Sequence, residues 1–137
     1  MKIPVRFPKN LNNDSDYKFI KESNVKFVIV AAYGQIIPEK FLSIKNLIFL
    51  NIHASLLPKW RGAAPIQRSI MEMDKETGVS IMKIVPKLDA GPYMKQESVS
   101  INIKDNYLSL SKKLSDIGVK LILESLSEFE NKKITFK

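Results

Sequence analysis

The only histidine in the sequence, His53, stands two residues after Asn51 and two before Ser55 in "NIHASLLPKWRGAAPIQRSI" (51–70), and Asp89 follows the apolar run "GVSIMKIV" (78–85). A neutral imidazole exchanges a proton near pH 7, a carboxamide donates to a developing oxyanion, and a carboxylate fixes an imidazole tautomer or passes a proton through water. Asn51, His53 and Ser55 alternate, so in extended backbone they share one side and Ile52 and Ala54 the other. Such a set suits acyl transfer to an amine if the strands "LIFLNI" and "GVSIMKIV" run the same way and deliver Asp89 to the edge that carries His53. On spacing alone the plainer reading is a hydrogen-bonded loop histidine, with Asn51 a turn former and Asp89 a turn aspartate.

Other chemistries find less support. Ser55 lacks the Gly-x-Ser-x-Gly elbow that activates a serine nucleophile. One histidine and no cysteine make a poor metal site, and the lack of cysteine excludes disulfides and thiol nucleophiles. In "YGQIIP" (33–38), Gly34 permits close backbone approach to a flat ligand, or simply makes a turn. "KWRG" (59–62) sets Lys59 and Arg61 around Trp60, which suits stacking and phosphate pairing with nucleic acid; a tryptophan partly in the core is the alternative.

These residues need a scaffold. A chain of 137 residues with 45% hydrophobic and 26% charged residues can bury one sizeable core. Its 22 Lys and Arg against 14 Asp and Glu leave a net charge of +8, which either draws phosphate-rich partners or forms a solvated lysine surface. No apolar run reaches bilayer length and "MKIPVRFPKN" is no signal peptide, so a cytoplasmic protein is expected. "VKFVIVAA" (25–32) and "LIFLNI" (47–52) read as buried strands, joined by a short helix in "PEKFLSI" with Pro38 at its first turn. "DSDYKFIKES" reads as an amphipathic helix capped by Asp14 or Ser15. "APIQRSIMEM" (64–73) reads as another, with Ile66, Ile70 and Met73 on one stripe. "GVSIMKIV" and "YMKQESVSI" (93–101) form a candidate hairpin, and a long helix starts at Asp105 or Asn106 and runs to Asn131, with Gly118 its weak point. Alternating strands and helices make an α/β sheet. "MKIPVRFPKNLNN" reads as a loop lacking an upstream partner.

The stretches "NIHASLLPKWRGAAPIQRSI" and "ETGVSIMKIVPKLDAGP" closely resemble the catalytic domain of the methionyl-tRNA formyltransferase family, within the wider group of formyltransferases that use 10-formyltetrahydrofolate. The resemblance runs from about Pro4 to the long helix. It implies a Rossmann-like fold with a mixed sheet flanked by helices, and a reaction in which the amino group of initiator methionyl-tRNA takes a formyl group from 10-formyltetrahydrofolate, without a metal. Asn51, His53 and Asp89 match the family's catalytic trio. By the same likeness, Asn51 and His53 would hold the oxyanion, while Asp89 would orient His53 and move the proton. Ser55, Leu56, Leu57 and Pro58, with Gly34, Gln35, Ile36 and Ile37, match its folate-binding stretches. The continuation "RGAAPIQRSI" separates this family from relatives that formylate glycinamide ribonucleotide or amino sugars, which stay as alternatives together with an inactive folate-binding fragment. Ala54 and Pro92 depart from the glycine and aspartate that many members carry, neither in the trio. The likeness further implies that strands preceding the "PVRFPKNL" loop and a C-terminal β-barrel domain lie outside residues 1–137, leaving a domain incomplete at its N-terminus with an unpaired edge at "VKFVIVAA", and that the complete enzyme is a monomer.

Overall fold

Alternating apolar residues on β2 (Ile48–His53) divide the core in two. Ile48, Leu50 and Ile52 pack on one side of the sheet, among Val79, Ile81, Leu110, Leu114 and Leu121. Phe49 faces the other side with Val28, Val30, Ile37, Phe41 and Ile84. The computed structural model describes residues 3, 5–131 and 136–137, and the loop reading of Met1, Lys2 and Pro4 falls outside them.

The chain order is α1 (Asp14–Glu22), β1 (Phe27–Ala31), α2 (Glu39–Leu42), β2, α3 (Pro65–Met71), β3 (Glu76–Lys83), β4 (Tyr93–Ser100) and α4 (Tyr107–Glu130). The four strands form one mixed sheet in the order β1-β2-β3-β4. β1 runs parallel to β2, whereas β2–β3 and β3–β4 are antiparallel. Among the described residues two helices cover each face: α1 and α2 contribute Tyr17, Ile20, Phe41 and Leu42 on the Phe49 side, while α3 and α4 cover the Leu50 side. Among the described strands β1 is an edge, with Ile29 39% exposed. No helix among the described residues is long and apolar enough to cross a membrane.

Local chemistry accounts for the element ends. Asn13, rather than Asp14 or Ser15, caps α1, its side chain accepting from the Asp16 amide at 2.8 Å. Pro38 stands at the α2 N-cap. The left-handed Met73 lies beyond the end of α3 and is exposed, so only Ile66 and Ile70 of the expected stripe reach the core. At α4 the Asn106 carboxamide and the Ser109 hydroxyl reciprocally satisfy the first-turn amides. Gly118, the expected weak point, is where α4 comes down on β2: an added Cβ would sit 3.0 Å from Ile52 Cγ2. The missing side chain lets the helix lie close against the strand that carries His53.

β3 starts and stops two residues earlier than the sequence pattern indicates. Glu76 and Thr77 pair with Ser100 and Val99, while Ile84 donates to Phe49 O and the chain then leaves the ladder. Thr77–Met82 are buried throughout, as befits a strand between two others and covered on its faces.

Candidate active site

The carboxyl ends of the parallel pair β1 and β2 open into a cleft of about 650 Å³. Ala32 and Gly34, both in the left-handed region (φ 48° and 71°), turn the chain sharply after β1, so the backbone of Gly34–Ile37 forms one wall. Asn51 and His53 project from β2 into the same space, on the Phe49 side of the alternation. Met82, Ile84 and Val85 line it from β3 and its exit, and Gly62–Gln67 close it from the start of α3. The volume is that of a small-molecule site, and the lining mixes apolar walls with a few polar groups.

Asp89 reaches this cleft by a different route from the one expected. β2 and β3 are antiparallel, with His53 opposite Ser80 and Leu50 opposite Lys83, so their carboxyl ends point to opposite edges. The connection from β3 to β4 folds back instead, pinned where Lys83 N donates to Pro92 O at 2.9 Å. A Cβ on Gly91 would fall 1.8 Å from Lys83 O, so only glycine fits this return. Asp89 itself is left-handed (φ 41°), and its Oδ2 accepts from the Gly62 amide at 2.8 Å.

His53 is 6% exposed and both ring nitrogens face acceptors. Nε2 lies 2.9 Å from the Trp60 carbonyl oxygen. A carbonyl only accepts, so Nε2 carries a proton and donates. Nδ1 lies 3.7 Å from Asp89 Oδ2, too long for a hydrogen bond and within ion-pair reach. Trp60 O therefore makes the direct contact that orients the ring, in place of the Asp89 carboxylate expected from the resemblance. Nδ1, the ring nitrogen that Trp60 leaves free, faces the Asp89 carboxylate across the cleft.

The segment after His53 is held from outside the cleft. Ser55 is fully buried and its hydroxyl donates to Lys59 O, so it serves the turn. Leu57 is buried; Leu57 and Pro58 border a second, open hollow of about 420 Å³ that also touches Arg61 and Tyr93. Ser80 Oγ donates to Ser55 O at 2.6 Å and accepts from the Leu57 amide at 3.1 Å, while Gln96 Nε2 donates to Ser80 Oγ and to Leu57 O, both at 2.8 Å. Sequence reading singled out neither Ser80 nor Gln96; a polar residue in each of two adjacent strands was the available signal.

The trio Lys59, Trp60 and Arg61 separates. Lys59 Nζ pairs with Asp74 Oδ1 at 2.6 Å and Trp60 Nε1 donates to Asp74 Oδ2 at 2.7 Å, leaving the indole half-buried rather than exposed. Burial pushes the Asp74 carboxyl upward, but the hydrogen bonds from Lys59 and Trp60 outweigh it and hold the group below its ordinary range. Arg61 remains exposed.

Residues 6–126 match the sequence model of the formyl transferase family. A methionyl-tRNA formyltransferase from Pelagibacter ubique (strain HTCC1062) is 49% identical over 136 residues, covering 98% of this chain and 44% of that protein. The chain thus spans less than half the length of this curated relative. The structure of a phosphoribosylglycinamide formyltransferase from Bacillus halodurans superposes with a TM-score of 0.71 at 31% identity, over 79% of this chain and 56% of that one. The formyltransferase PseJ from Anoxybacillus kamchatkensis, in complex with UDP-4,6-dideoxy-4-formamido-L-AltNAc and tetrahydrofolate, superposes with a TM-score of 0.71 at 30% identity, over 85% and 61%.

Proposed function

This chain belongs to the formyl transferase family, and from that premise we propose that it carries the catalytic face of a methionyl-tRNA formyltransferase, moving a formyl group from 10-formyltetrahydrofolate to the amino group of initiator methionyl-tRNA. The observation that carries the reading is the meeting of Asn51, His53 and Asp89 on one cleft, with His53 Nδ1 3.7 Å from Asp89 Oδ2. The identity to the Pelagibacter enzyme supports the choice of acceptor.

In this reading the backbone and apolar side chains of Gly34, Gln35, Ile36 and Ile37 hold the flat ring of the folate, which suits a wall of the cleft that offers both amide groups and methyls. Ser55, Leu56, Leu57 and Pro58 shape the far side of the loop without lining the cleft. Asn51, and His53 through Nδ1 when the ring is protonated, donate to the formyl oxygen as the methionyl amine adds to the formyl carbon. That addition forms the new C–N bond; Asp89 takes up the proton that the amine sheds, and collapse of the adduct restores the C=O bond, breaks the bond to the folate nitrogen and passes the proton to that nitrogen. No covalent bond to the protein is made. Arg61, exposed beside the site, meets a tRNA phosphate; Lys59 contributes charge nearby, and Trp60 supports the loop from within.

Formylation of small amines is the second reading, favoured by superposition on the Bacillus and Anoxybacillus structures. The test offers radiolabelled 10-formyltetrahydrofolate to the 137-residue chain with methionyl-tRNA, glycinamide ribonucleotide or an amino-sugar nucleotide as acceptor. Label on methionyl-tRNA, lost by at least about 10²-fold in His53→Ala with an unchanged circular dichroism spectrum, supports the first reading. Label on a small amine alone moves the assignment to the second. Full transfer by His53→Ala overturns both.

A further inference from the structure

The ring of His53 is oriented by a backbone carbonyl, and something must hold that carbonyl still. Trp60 adopts a left-handed backbone (φ 56°), which an L-residue with a bulky side chain enters only against steric strain. That conformation turns its carbonyl onto His53 Nε2 at 2.9 Å. The residue is tied down by its own side chain, since Trp60 Nε1 donates to Asp74 Oδ2 at 2.7 Å. The neighbouring Lys59 is fixed to the other oxygen of the same carboxylate at 2.6 Å. Asp74, 11% exposed on its side chain, is itself set by its amide donating to Ser69 O at 3.0 Å just beyond α3. One carboxylate thus grips two consecutive residues, the second of which presents its carbonyl to the imidazole.

We propose that Asp74 is a positioning residue for His53, acting through Trp60: its grip on Lys59 and the indole fixes the Trp60 carbonyl, which keeps the proton on Nε2 and turns Nδ1 to Asp89. The inference deepens the reading of His53 as a catalytic residue and rests on it for its effect on the reaction. Its physical content is separate, because the state of the ring can be read directly. His53 is the only histidine in the sequence, so a nitrogen-15 spectrum of labelled full-length chain contains one imidazole.

The experiment records that spectrum from about pH 5 to about pH 9 for the wild type, Asp74→Ala, Asp74→Asn and Trp60→Phe, beside formyl-transfer kinetics and thermal melts. The wild-type neutral ring is expected almost wholly as the Nε2–H form. In Asp74→Ala and Trp60→Phe the ratio of Nε2–H to Nδ1–H falls about three- to tenfold, toward that of free imidazole. With it, kcat falls about tenfold while KM for the formyl donor stays within about twofold. Asp74→Asn keeps an oxygen acceptor for the indole and gives intermediate values. If Asp74→Ala does not fold, Trp60→Phe, which leaves the Lys59–Asp74 pair in place, decides the matter. An unchanged tautomer ratio in the folded variants, whatever their melting temperatures, overturns the proposal. Failure of the catalytic reading has a different sign: His53→Ala would then transfer formyl groups normally, while the tautomer ratio would still respond to Asp74 and Trp60.

Discussion

At the scale of single residues, the polar groups of this site do unequal work. His53 and Asn51 face the cleft, whereas Ser55, from the same alternating set, spends its hydroxyl on Lys59 O one turn later. Alternation carries the side assignment only as far as the strand lasts, and β2 ends at His53. Ser80 sits behind this turn, closing three hydrogen bonds in a fully buried position. Ser80→Ala strands the Leu57 amide and the Ser55 carbonyl without that partner, so an unfolding free energy lower by about 2–3 kcal/mol is expected. Urea unfolding checks it: the midpoint drops while the slope with denaturant stays constant.

At the scale of elements, α4 packs along the Leu50 face of the sheet. It brings Leu110, Leu114 and Leu121 to Leu50, Val79 and Ile81, and at Gly118 it lies against Ile52 of β2. Its first turn is secured by Asp105, whose side chain is 7% exposed and accepts from Lys113 Nζ at 2.7 Å. The Lys113 ammonium, then the Asn102 amide and the Ser109 hydroxyl, lower its carboxyl from 3.8 to about 2. A carboxylate whose pKa is lower in the folded than in the unfolded chain stabilises the fold above its unfolded pKa, and that contribution is lost as pH falls through the folded one. Asp105→Asn is therefore expected to melt below the wild type at neutral pH, with the difference closing between about pH 4 and about pH 2. A melting difference independent of pH would assign the effect to packing instead.

At the scale of the whole molecule, the net charge of +8 gives the proposed tRNA complex a long-range attraction. Binding of methionyl-tRNA is expected to weaken steeply with salt, and Arg61→Ala to lower the logarithmic salt slope by about 1 with little change in thermal stability. Filter binding at several salt concentrations measures both. The element plan, the β3–β4 hairpin and the long helix were legible in the sequence, because apolar periodicity and capping residues are local properties of the chain; the expected burial held for β2 but not for β1, a half-exposed edge among the described strands. The shared side of Asn51 and His53 was legible too in their even spacing, but spacing alone favoured a loop histidine, and only the resemblance pointed to a site. Tertiary structure alone decided the rest. The direction of β3 against β2, the fold-back that returns Asp89 to His53, and the use of Trp60 O rather than Asp89 as the direct partner of the ring all depend on contacts between segments far apart in sequence. Asp74 came into view only there: fifteen and fourteen positions from Lys59 and Trp60, it forms a grip that no local spacing encodes, because the fold closes that distance.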